Sequence, residues 1–347
     1  MKKTFIKRIV SVIFAAVMCS LLWLPSYAIT NTTESLESDS ISPQLQALCD
    51  DYITAYMEVV VDHPSTIYNR IQLIDPYTNQ VKYILYVFEL GYAIIDIVDF
   101  YVCEYSVCSS NPYLVSLESQ QLYYIAPLGY YCLENGNYRH ILSNELISIS
   151  SQAVPTTLLD INSMCQKINN LKSPSSTYSI AATIETERYL SSSLATDWVN
   201  GYCGPTSAYN MLKYRGLVES GYTGQQLIYR ISSYTGSSVD LTSLTNGINL
   251  YLSYAGFSNK VASTSYSFNK VMTEINANRP LTLGTNGGGL ASGGHVQTIH
   301  GYYKYSIGTS ITYYTLYVNN SWGQNGVAIT YETTTPSYLK DHVYYLN

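Results

Sequence analysis

The sequence predicts an α+β fold built in two successive parts, and three features of its 347 residues predict it. Apolar residues recur at helical spacing in one segment near residue 45 and in four more from residue 203 onward. Runs of Ile, Val and Tyr broken by Gly, Asp and Asn occupy much of 81–133 and 281–346, as antiparallel strands do. In the second part helices come first and strands afterwards, the order of an α+β domain. A Ser-, Pro-, Thr- and Ala-rich stretch over 172–193 separates the parts. It reads as a linker, with Lys172 and Arg188 as exposed points for cleavage.

The first 28 residues read as a secretory signal peptide. Lys2, Lys3, Lys7 and Arg8 make a basic start, an apolar run follows over 9–24, and Ser26-Tyr27-Ala28 offers a small-residue cleavage site. The run falls short of the roughly 20 residues of a membrane span. The expected product is therefore secreted and has no membrane span once the signal is removed. Residues 29–42 are rich in Ser, Thr and Glu and read as a disordered lead-in. Leu45, Leu48, Ile53, Tyr56 and Met57 place one amphipathic helix over 43–60. Segments 81–90, 92–98, 100–105, 122–126 and 129–133 read as strands, with Asn135-Gly136 as a turn. The expected divisions are 1–28, 29–180 and 181–347.

Charge separates the two parts as well. Residues 29–180 hold sixteen acidic and five basic side chains, and 181–347 hold eight and nine. Neither supplies the basic face that a phosphate backbone needs, so nucleic acid is not an expected partner. Charged residues make up only 12% of the chain while tyrosine numbers 37, so Tyr, Ser, Thr and Asn are expected to wet the surface. Of the seven cysteines, Cys19 leaves with the signal and Cys49, Cys103, Cys108, Cys132 and Cys165 lie in the acidic part. Five is odd, so at least one stays free or pairs between chains, and Cys103 and Cys108 have the spacing of a hairpin bridge. No Cys/His pattern has metal-ligand spacing, and neither a metal nor a cofactor is expected. His63 and His140 read as lone surface histidines.

Cys203 has no cysteine after it, and the stretch around it reads as a helix start. Pro205 suits the first turn; Ala208, Met211 and Leu212 form an apolar stripe; Lys213, Arg215 and Gly216 supply a stop. Unpaired N–H groups and the positive end of the dipole favour a thiolate there, and the thiolate is the nucleophile. Further helices follow from Thr223 through Ile231, from Leu241 to Leu252 before Gly256, and from Phe268 to Ile275 before Arg279-Pro280. Strands are expected at 281–284, 295–303, 311–319, 327–331 and 343–346. The Gly-rich loop 285–294 leads into a strand and matches no nucleotide fingerprint. His295 opens one strand and Asn320 follows its neighbour, so a hairpin of 299–305 with 311–319 brings both to one end of the sheet. Thiolate, imidazole and a group that fixes the ring are what nucleophilic cysteine chemistry needs. His300 lies an odd number of residues from His295 and reads as a packing or surface residue on the opposite face.

Cys203-Gly204-Pro205-Thr206, Gly294-His295-Val296 with Gly301-Tyr302, and Asn320-Ser321-Trp322-Gly323 resemble the three signature blocks of papain-like cysteine peptidases. The Cys-Gly-Pro start resembles the bacteriocin-leader-peptidase-like branch, and the long preceding segment resembles the zymogen arrangement of streptopain. Residues 43–150, with Gly91-Tyr92-Ala93-Ile94-Ile95-Asp96, look like a pro-region. The resemblance implies a papain-like catalytic domain behind an α+β pro-domain that acts as its intramolecular inhibitor, with a peptide or protein as substrate. It further implies Cys203 as nucleophile, His295 as general base and acid, Asn320 as imidazole orienter, and Trp322 as a shield over the Asn320–His295 contact. One position departs from the pattern. Asp197 stands six residues before Cys203, where an oxyanion-binding glutamine is usual; Asn200 is an alternative donor beside the Cys203 N–H. Two other readings remain open on these residues: acyl-transfer or amidase chemistry on the same triad, and a degenerate, Tyr-rich binding module.

Overall fold

Helix α1, Pro43–Val59, begins where Ser42 caps it, its Oγ accepting from the Leu45 N–H at 3.3 Å. It buries Leu45, Cys49, Tyr52, Ile53, Tyr56 and Met57, the face its apolar spacing foretells. The computed structural model describes residues 41–114, 121–149, 158–172, 183–190, 197–237, 240–285, 294–307, 311–332, 336 and 338–346. The signal-peptide reading and most of the 172–193 reading lie outside them. After α1 come β1 (Ile67–Asp75), β2 (Gln80–Phe88), β3 (Tyr92–Asp96), β4 (Tyr101–Ser106), β5 (Leu122–Ile125), β6 (Gly129–Glu134), β7 (Asn137–His140), β8 (Leu146–Ile147) and α2 (Ile161–Lys172). The C-terminal half adds β9 (Thr183–Tyr189), α3 (Cys203–Tyr214), α4 (Gly224–Thr235), α5 (Leu241–Tyr254), β10 (Lys260–Ser265), α6 (Phe268–Asn276), β11 (Leu281–Thr285), β12 (His295–Ile307), β13 (Ile311–Asn319), β14 (Val327–Glu332) and β15 (Leu339–Leu346).

All the described strands join one sheet, ordered β10-β15-β11-β12-β13-β14-β4-β3-β2-β1-β5-β6-β7-β8. Pairing is antiparallel throughout apart from β1 with β5. The first and last part of β12 share one edge: β11 pairs with it over His295 to Ile299, and β9 over Gly301 to Ser306. Part of the expected linker is thus a sheet strand. Its Glu185-Thr186-Glu187-Arg188 run lacks apolar alternation, so the sequence carried no clear strand signal there.

The two halves meet where β14 pairs with β4, Ala328 opposite Tyr105 and Ile329 opposite Glu104. On one face of the sheet α1 and α2 share a core with Tyr303, Tyr305, Ile307, Tyr313 and Ala328 from the C-terminal strands. On the other face Tyr92, Tyr124 and Tyr130 join a cluster with Leu283, Ile299, Val318 and Trp322. A third cluster holds α3, α4 and α5 against Val296, Val343 and Tyr345.

Two compositional expectations are corrected. The tyrosines do not mainly wet the surface: Tyr52, Tyr56, Tyr92, Tyr105, Tyr130 and others are fully buried. Each ring adds apolar area, and most of these hydroxyls have a partner, as with Tyr105 and Tyr317 at 2.8 Å. Cys103 and Cys108 form no bridge; the described cysteines are all free. The Cys103 thiol donates to the Ile94 carbonyl at 3.3 Å and that of Cys108 to the Asn325 carbonyl at 3.3 Å.

Glu104 shows how the N-terminal core tolerates a carboxyl. It is fully buried and accepts from Tyr92 Oη at 2.7 Å, Tyr124 Oη at 2.6 Å, the Leu128 N–H at 2.9 Å and Tyr130 Oη. Burial pushes its pKa up, and the tyrosine hydroxyls pull it back. Glu104→Ala, which orphans all four donors, should cost about 3 kcal/mol or more of unfolding free energy in urea titrations. Glu104→Gln, which keeps the acceptor oxygen, should cost less.

Candidate active site

Cys203 is the first residue of α3, and Tyr202 before it makes no side-chain capping bond. The first N–H groups of the helix are therefore left for another acceptor. The N–H groups of Val296, Gly204 and Cys203 itself all act to lower the thiol pKa. Val296 neighbours His295, so the thiol lies against the start of β12. A bond between Ser207 Oγ and Thr298 Oγ1 at 3.0 Å fixes α3 against that strand one turn further on. Burial outweighs these donors, and the charge of Glu145 adds to it, so the Cys203 thiol is held above its usual range. The sequence led to a thiolate at this helix start; burial instead favours the neutral thiol.

His295 is 2% exposed and stacks on Trp322, with ring centroids 3.8 Å apart and planes 18° from parallel. Its Nε2 lies 2.7 Å from the main-chain carbonyl oxygen of Asn320. A carbonyl only accepts, so Nε2 carries the ring proton and Nδ1 is the basic nitrogen. Burial lowers the His295 pKa to about 3, against the Asn320 carbonyl that raises it. Asn320 therefore meets the imidazole, but through its backbone and not through the amide that the resemblance implied. That amide is occupied within its own turn: Nδ2 donates to Gln324 Oε1 at 2.7 Å, and Oδ1 accepts from the N–H groups of Trp322 and Gln324 at 3.0 and 3.1 Å.

The turn is built for Trp322. Ser321 adopts φ 58°, and the Asn319 side chain accepts from its N–H at 3.0 Å. At Gly323, φ is 88° and a Cβ would come within 2.8 Å of the Trp198 indole nitrogen. Only glycine lets Trp198 approach.

Asp197 and Asn200 lie on the chain leading into α3. The Asp197 carboxylate accepts from Tyr209 Oη at 3.1 Å, and Tyr209 stands six residues along the helix from Cys203, about 9 Å of rise. The same carboxylate lies so close to Gly224, the first residue of α4, that a Cβ there would meet it at 2.1 Å. A tyrosine hydroxyl and a helix N-terminus thus give the aspartate a place of its own. Asn200 is exposed and lines an open cleft of about 440 Å³ with Asp197, Trp198, Val199, Gln225 and Tyr229.

The N-terminal half supplies residues the sequence did not single out. His140, expected on the surface, is 1% exposed and packs its ring 4.5 Å from that of Trp322. Trp322 therefore contacts two imidazoles, His295 and His140. His140 Nε2 lies 3.0 Å from the Leu128 carbonyl oxygen and Nδ1 3.0 Å from Ser143 Oγ, which holds the 140–145 turn in place. Nearby, Ser109 Oγ donates to the Asn325 carbonyl at 2.8 Å, Ser106 Oγ to the Gly326 carbonyl at 3.2 Å and Gln324 Nε2 to the Ser110 carbonyl at 3.1 Å. No local motif marks His140; only strand pairing across the two halves brings it there.

Burial lowers four histidines at once: His140, His300 and His342 to about 4, and His295 to about 3. His300, on β12, is fully buried, a packing residue and not a surface one. In the unfolded chain each takes a proton near pH 6.5, so the folded state binds fewer protons below that pH. Stability is full above about 6.5 and falls as pH drops toward 4. Asp96, raised to about 6, with Glu104 and Glu145, also raised, offsets part of this in the same window. The unfolding free energy from urea titrations should accordingly fall between pH 7 and pH 5, by about 1.4 kcal/mol per pH unit for each net proton taken up on unfolding.

Residues 187–345 match the family model described as the Peptidase_C39 like family. No curated protein matches the chain.

Proposed function

The C-terminal half of the chain belongs to the C39-like family of papain-like cysteine peptidases, and from that premise we propose that the protein is a secreted cysteine endopeptidase made in a latent form. The observation that carries the reading is the meeting of an uncapped helix start at Cys203 with a strand start at His295, whose ring is held on its far side by Asn320 and Trp322.

In the proposed reaction His295 Nδ1 takes the Cys203 proton as Sγ attacks the scissile carbonyl carbon. The imidazolium then gives that proton to the departing amine as the C–N bond breaks, leaving a thioester on Cys203. Water, deprotonated by the same nitrogen, attacks the thioester and releases the acid product and the thiol. The Cys203 N–H is the main-chain donor we assign to the oxyanion. Asn200 is the side-chain donor we favour over Asp197, whose carboxylate would repel the developing charge.

Latency is supported by what covers the pair. His140 lies against Trp322, Glu145 acts on the Cys203 thiol, and 106–110 grip the Asn320 turn. Cutting after Lys172 is not by itself release, because α1 and α2 share a core with Tyr303, Tyr305 and Tyr313. Activation therefore needs cleavage followed by displacement or degradation of the N-terminal part. To test the reading, the full chain is cut with a limited dose of trypsin, the N-terminal fragment is removed, and a panel of quenched-fluorescence peptides is added. Cleavage blocked by iodoacetamide on Cys203 is the expected result. Cleavage that persists in fully alkylated protein would overturn it.

A further inference from the structure

The five hydrogen bonds of Asn320 share one organiser. Asn320 Oδ1 accepts from two backbone N–H groups, those of Trp322 and Gln324. These groups only donate, so the amide orientation is fixed and Nδ2 must face Gln324 Oε1. The Asn320 N–H donates to the Gln324 carbonyl at 3.0 Å. Gln324 therefore makes three of the four bonds within the turn, with its side-chain oxygen, its N–H and its carbonyl. The fifth bond leaves the turn, from the Asn320 carbonyl to His295 Nε2 at 2.7 Å. With both lone pairs of Oδ1 engaged, the Asn320 side chain has no acceptor left for the imidazole.

We propose that Gln324 is a positioning residue for His295: by clamping Asn320 it aims a main-chain carbonyl at Nε2 and fixes the imidazole as the Nε2–H tautomer. Nδ1 is thereby left as the base. The inference rests on the proposed role of His295 as the proton carrier. The far end of the Gln324 side chain donates to the Ser110 carbonyl at 3.1 Å, so the residue that aligns the ring also contacts the N-terminal half.

Two substitutions separate these ends. Gln324→Glu keeps an oxygen for Asn320 Nδ2 and loses the donor to Ser110. Gln324→Met keeps the length and loses both. The test uses the intact chain labelled with ¹⁵N-histidine, and long-range ¹H–¹⁵N spectra report the tautomer of each of its five histidines. His295 is assigned by loss of its signal in His295→Ala. Nε2–H is expected in the wild type and in Gln324→Glu, and a mixture of tautomers in Gln324→Met. Site-resolved alkylation of Cys203 should slow roughly 10–10²-fold in Gln324→Met, with an altered pH profile, and recover in Gln324→Glu. Nδ1–H in the wild type would overturn the proposal whatever the variants do, and so would an unchanged tautomer in folded Gln324→Met. If His295→Ala leaves Cys203 alkylation unchanged, the peptidase reading fails, while the tautomer spectra still decide the role of Gln324.

Discussion

Cys203→Ala is expected to reduce peptide hydrolysis by the activated chain to background, a loss of roughly 10⁴–10⁶-fold, and His295→Ala should lose nearly as much. The two losses should not add in the double variant, because nucleophile and base act as one unit. Fold stability gives a control that sets the pair apart. Cys203 is partly exposed as a residue although its thiol is buried, and its truncation to alanine removes a single sulfur atom at a helix start. His295 stacks on Trp322, so His295→Ala should also lower the melting temperature, whereas Cys203→Ala should leave it within a few degrees. Steady-state kinetics beside a thermal melt measures both. Hydrolysis by Cys203→Ala at the wild-type rate would remove the cysteine from the chemistry.

His140→Ala is expected to raise the alkylation rate of Cys203 in the uncut chain by roughly 10–10²-fold, a rate change of about 1.4–2.7 kcal/mol. The ring of His140 packs 4.5 Å from Trp322 and bridges the Leu128 carbonyl and Ser143. Its loss frees the 140–145 turn, lets water reach the thiol whose burial raises its pKa, and withdraws Glu145, whose charge adds to that rise. Both changes act in the same direction, toward an exposed thiolate. Glu145→Gln separates them, since it removes the charge and leaves the cover. It should give a smaller increase, seen as a downward shift in the pH at which Cys203 reacts. Peptide mapping by mass spectrometry keeps Cys203 apart from Cys108, which is exposed and free. An unchanged rate in both variants would mean that the N-terminal half does not restrain the thiol.

Much of the C-terminal half was legible because its signals are local. The Cys203 helix, its stop at Gly216 with φ 67° and the Thr223 capping box of α4 lie within a few residues of where propensity places them. The Asn135-Gly136 turn is another such case: both residues take positive φ, as a two-residue hairpin turn requires. Other elements carried weaker patterns. α2 shows only Met164, Ile168 and Leu171 on its buried face, β1 alternates around exposed polar residues, and β10 buries a single valine. These gain their stability from pairing and packing, which the linear sequence does not display. For the candidate site the residue types were readable and the hydrogen bonds were not. That Asn320 offers its carbonyl depends on Gln324 taking up its amide, and that His140 meets Trp322 depends on β4 joining β14 more than two hundred residues away in sequence.

The most direct test of a covered Cys203–His295 pair is one time course of peptide cleavage. The wild-type chain and Cys203→Ala are compared before trypsin treatment and after removal of the N-terminal fragment. The account predicts no cleavage by either intact chain, cleavage by the released wild type and none by the released variant. Cleavage by the released Cys203→Ala protein, or a released wild type that is folded, alkylates at Cys203 no faster than a free thiol and cleaves nothing, would contradict it.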